Sequence, residues 1–398
     1  MSSSENLSIT MKKIRFSNVL QVIAVFALIT RSWMVNCQTV ADVVLWKQGE
    51  GNHNNYRIPS VILTSKGSLL AFCEGREAGD AGDIDLLLRR STDNGLTWGK
   101  EIVVWDDKSN TCGNPCPVVD HVTGRIWLFL TWNRGTDHER DIINKRSTDT
   151  RLPYICYSDD DGLTWSVPAL VKGIKEPSWG WYATGPGIGI QLKRSIYAGR
   201  LVVPANHSYD DPQSKLQITP YEFGSHVIYS DDHGISWHLS QPIRPGCNES
   251  QVTELGDGTL LMNMRSYNDM YCRAVSMSTD GGSSWSQIEH DLSLVESKCQ
   301  ASLLEYGPFD DGILYIFSNP AVPIGRKNLT IKASFDNCSS WSNSKLVFSG
   351  PSAYSCIVRT NDDNIGLLFE CGTNKPYETI RFVSFPPEEI FKPGPLLR

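Results

Sequence analysis

The sequence predicts an all-β chain assembled from repeated units of about four strands. Three observations carry that prediction. An octapeptide of the form Ser-x-Asp-x-Gly-x-Ser/Thr-Trp recurs along the chain, and fixed self-similarity is the mark of a repeat architecture. Twelve Trp, 32 Gly and 21 Pro among 398 residues form a turn-rich, aromatic-rich composition, which favours many short strands over long helices. Short β-patterned runs precede or separate the octapeptides, at 86–90, 126–130, 154–157, 226–229 and 313–317. Successive copies start 48 to 72 residues apart, and about four strands per such period describe a β-propeller.

The N-terminus comes first. Lys12, Lys13 and Arg15 precede an apolar run over 19–29, and Val35, Asn36 and Cys37 offer a cleavage site before Gln38. That order is the pattern of a secretory signal peptide over 1–37. A retained signal anchor is the alternative, although the run is short against the ~20 residues that span a bilayer. Neither a second apolar stretch nor a hydrophobic C-terminal tail follows, so a polytopic protein and a GPI anchor are not indicated. The expected location is the secretory pathway, with a secreted and a lysosomal destination equally open.

The octapeptides come next. Full copies begin at Ser91, Ser158, Ser230 and Ser278, with aspartates at Asp93, Asp160, Asp232 and Asp280 and closing tryptophans at Trp98, Trp165, Trp237 and Trp285. A fifth, from Ser334 through Asp336 to Trp341, carries Cys338 where the turn glycine belongs. Asp accepts backbone N–H bonds within a turn, Gly supplies a positive φ, and Trp tucks beneath. Five equivalent turns cannot all face one site. Their aspartates are therefore read as structural, and an active site must use residues that occur once.

Composition sets further bounds. Charged residues at 20% and hydrophobic residues at 40% are globular values, which exclude wholesale disorder. Lys plus Arg at 37 against Asp plus Glu at 44 gives −7, which argues against a nucleic-acid partner recruited by bulk charge. An anion must then meet a local basic cluster. Loss of Cys37 with the leader leaves ten of 11 cysteines, an even number suited to disulfides in an oxidising compartment, with connectivity open. Zinc-type spacing is absent, so no metal is expected. Asn206, Asn248, Asn328 and Asn337 each open a glycosylation sequon; Asn328 is the expected acceptor, and Asn248 is expected to stay unmodified because a glycan would obstruct the residue after it.

A set of once-occurring motifs stands in order along the chain: Tyr56-Arg57-Ile58-Pro59, Glu74-Gly-Arg76 with Asp80, Asn248-Glu249, Asn263-Met-Arg265, Asn319-Pro320 leading to Arg326, and Ala353-Tyr354-Ser355. With five Asp boxes, this set resembles the sialidase (neuraminidase) superfamily over nearly all of 42–398. The resemblance implies a six-bladed β-propeller and an exo-α-sialidase that needs neither metal nor cofactor. Its partners would be sialylated glycoproteins, oligosaccharides or gangliosides. Trans-sialidase activity and a non-catalytic sialic-acid-binding propeller are the alternatives; the second would lack Tyr354, Glu249 or Asp80, and an Asp-box receptor would lack the arginines too.

The chemistry implied by the resemblance is coherent. A sialic acid carries its carboxylate on the anomeric carbon, and three guanidiniums can hold it through forked, charge-assisted hydrogen bonds, the role matched by Arg57, Arg265 and Arg326. An anionic nucleophile would be repelled by that carboxylate, so a neutral tyrosine, Tyr354, serves with Glu249 as its base, and the arginines are expected to lower the phenol's pKa. Asp80 is the expected general acid and base, a role that suits a carboxyl with a raised pKa; Asp83 is its main rival, and Asp85 falls to a strand. Arg76 and Asn114 match residues that line the sugar site, and each also suits a loop-fixing role. Where cytosolic mammalian relatives carry tyrosines after a Val-Pro-Ala strand end, this chain has Asn206-His207-Ser208, which leaves the contacts on the glycerol side open. The 179–187 segment lines the cleft or packs the fold, and His207 reads as a hydrogen-bonding residue.

Overall fold

Each octapeptide closes on itself. In the first, the Ser91 hydroxyl donates to Asp93 Oδ1 at 2.7 Å, and the Thr97 amide donates to the same oxygen at 2.9 Å. The Thr97 hydroxyl donates to Asp93 Oδ2, and the Gly95 amide to Ser91 Oγ at 2.9 Å. The same bonds recur around Asp160, Asp232, Asp280 and Asp336. Cys338, at φ 61°, holds the left-handed conformation that Gly95 holds at 87°.

These turns also grip a neighbouring unit, which the octapeptide pattern does not reveal. The Trp98, Trp165 and Trp237 rings meet Phe382, Phe72 and Phe129 edge-on, with centroids 5.2, 5.7 and 4.6 Å apart. Gly234 shows why a side chain is excluded there. A Cβ on it would lie 2.3 Å from the Trp127 ring.

This computed structural model describes residues 39–214, 221–310 and 312–397. The signal-peptide segment 1–37 lies outside the described residues. The described fold is all-β, with one short α-helix, Glu139–Ile143, and a 3₁₀ turn, Pro387–Phe391. Hairpin-connected antiparallel strands dominate. One sheet runs in order through Asn55–Leu63, Leu69–Arg76, Ile84–Ser91, Thr111–Val119, Ile126–Asn133, Leu152–Ser158 and Ala169–Leu170, with Ile102–Trp105 on its side. A second holds Tyr182–Thr184, Leu201–Asp210, Tyr221–Ser230 and His238–Leu239, and a third Cys247–Glu254, Leu260–Ser266, Cys272–Ser278 and Glu289–Val295. The fourth runs from Ser302–Phe309 through Gly312–Pro320, Lys327–Ser334, the long Asn343–Arg359, Ile365–Cys371 and Thr379–Phe385, and ends on the first strand of the fold, Ala41–Lys47.

Every strand run read from the sequence falls inside one of these elements. Strand Asn55–Leu63 packs on Thr111–Val119, which meets the paired strands Tyr182–Thr184 and Leu201–Asp210. That pair meets Cys247–Glu254, which meets Ser302–Phe309, then Asn343–Arg359, and the last returns to Asn55–Leu63. The same strands therefore contact one another in a closed ring, and Arg57, Asn114, Glu249 and Tyr354 stand on them.

The cysteines correct an expectation. All ten that are described are buried and free, and none forms a disulfide. Eight of them sit in strands, and Cys299 and Cys338 in connections, each buried as a small hydrophobe;. Burial also separates the sequons. Asn206 is fully buried and Asn248 is 6% exposed, so neither presents its amide for modification in the folded chain, whereas Asn328 is half-buried and Asn337 exposed.

Candidate active site

Four of the ring strands break register where they deliver a polar side chain: between Arg57 and Ser60, Gly113 and Cys116, Cys247 and Ser250, and Ser352 and Ser355. Such irregularities re-aim a side chain out of the alternation of the strand. Ile58, β-branched, sits at φ 61°, and Asn114 at 55°. A left-handed Ile is costly, and backbone strain of this kind clusters at functional sites.

The side chains so aimed line one cavity of about 440 Å³, within the range of small-ligand pockets;. Arg57, Arg76, Asp80, Asn114, Glu249, Arg265, Arg326 and Tyr354 all line it. All eight residues expected from the sequence are thus brought together. Asp83 is not among its lining residues, and Asp85 lies in strand Ile84–Ser91, its carboxyl pushed up to about 7 by burial and by Asp106 and Asp83. A cavity of about 520 Å³ beside Lys175 carries none of these groups.

The centre is a phenol on a carboxylate. Tyr354 Oη donates to Glu249 Oε1, and Arg265 Nη1 donates to Glu249 Oε2 at 2.8 Å. Tyr354 is 6% exposed. Burial first, and the Glu249 charge second, push its phenol well above the ordinary range, while Arg265 and Arg326 pull the other way. The arginines act in the expected direction, but burial outweighs them, so the resting phenol is neutral.

The guanidiniums are held by groups distant in sequence. Arg57 Nε donates to Glu370 Oε1 at 2.7 Å; Glu370 also accepts from the Ile58 amide at 2.9 Å and the Tyr354 amide at 3.1 Å. One fully buried carboxylate thereby fixes an arginine and the tyrosine's backbone. Arg57 lies 3.9 Å over the Tyr377 ring, and Arg57 and Arg326 stand 5.4 and 5.3 Å from the Tyr354 centroid. Arg326 Nη1 donates to Tyr377 Oη at 3.0 Å. Arg265 Nε is buried without a partner. Three guanidiniums thus stand around a neutral phenol, two of them, Arg57 and Arg265, paired with carboxylates.

Asp80 occupies the open rim, with its side chain 76% exposed and paired with Arg76 Nη1. Burial pushes its carboxyl up, but the charge and hydrogen bond of Arg76 outweigh that, and the net direction is down. The expected raised pKa is therefore not that of the resting protein. Arg76 in turn is gripped by Glu74, whose other oxygen accepts from the Asn114 amide at 2.7 Å. Gly113 permits this approach, since a Cβ there would lie 2.3 Å from Glu74 Oε1. Asn114 Oδ1 accepts from Arg151 Nη2 at 2.6 Å, so this residue both lines the cleft and fixes the loop. Trp181 lines the cleft while Trp179 packs inside, its ring stacked 3.6 Å from that of His207.

Several residues of the site were not singled out in the sequence: Glu370, Arg151, Glu139, Tyr267 and Tyr377 all line it or hold its members, and Asn206, at the strand end whose contacts were open, lines it too. Glu370 alone left a trace, as a lone acid in the apolar run 365–371. Among the described residues, no three or more His, Cys, Asp or Glu side chains converge in a manner that would hold a metal ion.

The chain is similar to known proteins over most of its length. The BNR repeat-like domain family matches residues 67–368. A sialidase of Micromonospora viridifaciens is 32% identical over 351 residues, covering 85% of this chain and 52% of the relative, so the chain spans about half the length of that protein. Human Sialidase-3 is 30% identical over 406 residues, covering 87% of this chain and 92% of the relative. Among solved structures, the Hadza microbial sialidase Hz136 aligns with a TM-score of 0.73 and 31% identity over 85% of this chain and 67% of that one.

Proposed function

Because the chain belongs to the sialidase (neuraminidase) superfamily, we propose that it is an exo-α-sialidase, a glycoside hydrolase that releases terminal sialic acid with retention through a tyrosyl intermediate. The observation that carries this reading is the Tyr354–Glu249–Arg265 hydrogen-bonded chain beside Arg57 and Arg326. Arg57, Arg265 and Arg326 take the sugar carboxylate. As the glycosidic bond breaks, Asp80 gives its proton to the departing oxygen, Glu249 takes the phenol proton, and Tyr354 Oη bonds the anomeric carbon. Asp80 then takes a proton from water, whose oxygen displaces the phenolate, and Glu249 returns the proton to Tyr354.

Asp80 must be protonated to begin, and its resting state disfavours that. A bound sugar covers its exposed side chain and brings a second negative charge nearby. Both effects raise a carboxyl's pKa. The neutral resting phenol is consistent with a nucleophile that ionises only as charge develops at the sugar.

The proposal extends to architecture. The ring strands, each followed by hairpin-connected neighbours, and the Ala41–Lys47 strand closing on the last sheet support a six-bladed propeller;. Over 1–37, a leader directing the chain to the secretory pathway remains the proposed reading.

Tyr354→Phe tests the chemistry. It should lower turnover of an aryl sialoside about a thousandfold or more while leaving binding of free sialic acid nearly unchanged. Proton NMR of the wild-type reaction should show the α-anomer as first product. Near-normal hydrolysis by the variant would rule out the nucleophile, and a β-anomer first product would rule out retention. Including galactosides as acceptors separates hydrolysis from transfer.

A further inference from the structure

The loop that carries Asp80 has a largely buried carboxylate beneath its base. Strands Leu69–Arg76 and Ile84–Ser91 pair as a hairpin whose last rung is Arg76 with Ile84, and the loop 77–83 between them holds Asp80. The Glu77 amide donates to the Asp83 carbonyl at 3.1 Å, so these two residues are the closing ends of the loop. One rung further down, Asp85 stands opposite Gly75. Its side chain is 13% exposed, and its Oδ1 has no hydrogen-bond partner.

The groups that face Asp85 are mostly of its own sign. Glu77 and Asp83 belong to the loop, and Asp106 and Glu101 flank strand Ile102–Trp105. The exception is His53, just ahead of strand Asn55–Leu63. Its ring stands between loop and strand, with Nδ1 3.4 Å from Glu77 Oε1 and Nε2 3.7 Å from Asp85 Oδ2. Both carboxylates are within ion-pair reach, yet Nδ1 completes no hydrogen bond. The ring meets Tyr56 edge-on, and Gly75 leaves room for it, since a Cβ there would lie 2.5 Å from the imidazole. Asn54 fastens Glu77 as well, donating to its carbonyl at 3.1 Å and to a carboxylate oxygen at 2.9 Å.

A carboxyl so placed holds its proton to an unusual pH: burial first, then Asp106 and Asp83, push Asp85 up to about 7. With the proton on, the base of the loop carries one charge fewer, and Glu77 and Asp83 are held by His53, Asn54 and each other. With the proton off, a third carboxylate faces those of Glu77 and Asp83, and like charges in a partly dry setting repel. Asp85 is fixed by its strand ladder, so the ends of the loop are what yield.

Resting on the sialidase reading above, we infer that Asp85 is a positioning residue for the general acid: protonated, it lets the 77–83 loop close beneath Asp80, and ionised, it pushes Glu77 and Asp83 outward and draws Asp80 away from the departing oxygen. The cleft then loses activity on the alkaline side for a reason separate from the titration of Asp80 itself.

The test is the pH dependence of kcat/KM on an aryl sialoside, wild type against Asp85→Asn, from about pH 5 to pH 8.5. The amide has the shape of the protonated carboxyl and cannot ionise. The ratio of variant to wild type should stay within about twofold at the acidic end and rise to about threefold to tenfold at the alkaline end. A structural role alone would give one ratio at every pH. Melting temperatures supply a second measurement. A carboxyl raised on folding costs stability as the pH climbs from its unfolded value of about 3.9 through the folded value of about 7, so the variant should gain on the wild type across that range;. If Asp85→Asn does not fold, Glu77→Gln removes one of the facing charges and should move the activity ratio in the same direction, by about twofold to threefold. A ratio that is flat or falls as the pH rises, or melting temperatures that stay parallel, would overturn the inference and leave the sialidase reading intact. A wild-type chain that hydrolyses no sialoside at any of these pH values would overturn both.

Discussion

The five Asp-box turns and the single cleft solve the same problem, the placing of a carboxylate in a β-fold, in opposite ways. In the turns every aspartate finds its donors within four residues, as Asp232 does with Ser230 and Ser236. In the cleft the carboxylates reach across the chain: Glu370 holds Arg57 from 313 residues away and Glu249 holds Tyr354 from 105. Local satisfaction gives a unit that can be repeated. Long-range satisfaction gives one that occurs once, leaves Arg265 Nε and the Asn206 amide idle, and is poised for something from outside.

Glu370→Gln should break the cleft most severely after loss of the nucleophile. It keeps the shape but removes the charge facing Arg57 and weakens the hold on the Ile58 and Tyr354 amides. Removing one partner of a buried ion pair costs about 3–5 kcal/mol. If about half of that falls on the transition state, kcat/KM drops about tenfold to a hundredfold, with a lowered melting temperature. A variant with normal kcat/KM would show that Arg57 is fixed by other means.

Gly234→Ala attacks a turn instead. The residue has φ 87°, and the added Cβ would lie 2.3 Å from the Trp127 ring. Overpacking and a disallowed conformation together should cost about 1–3 kcal/mol of stability. Because the turn makes no contact with the cavity, kcat/KM of the folded fraction should match the wild type. Denaturant unfolding and steady-state kinetics on one preparation separate the two quantities, and a selective loss of activity would erase the distinction between turn and cleft.

The contrast also explains what the sequence made legible. A turn that satisfies itself within eight residues leaves an eight-residue signature, so all five were visible, Cys338 included. Tyr354, Glu249 and the three arginines were visible as an ordered set of once-occurring motifs. Glu370 was not, because its role exists only once strands far apart in sequence meet. The disulfides failed for a related reason: parity counts cysteines, whereas each thiol's environment is set by the segment that buries it. Asp80 was located by its motif, but its lowered pKa follows from the Arg76 side chain bonded to it, a geometry that spacing does not give.

The smallest effect expected is one of acid. In the turns, burial pushes the aspartates up, but hydrogen bonds from the Ser or Thr hydroxyls and amides together outweigh it, so Asp93, Asp232, Asp280 and Asp336 are all lowered and Asp160 is held at about 2. A carboxyl lowered on folding contributes stability that is present above its unfolded value of about 3.9 and is lost as the pH falls through the folded value. The melting temperature should therefore decline between about pH 4 and pH 2, with five turns contributing in the same direction. Asp160→Asn keeps the acceptor oxygen but cannot titrate, so its melting temperature should start lower at pH 5 and converge on the wild type by about 1–2 °C as the pH drops. Parallel curves would mean that the turn binds the neutral and ionised carboxyl equally, and that its bonds owe nothing to charge.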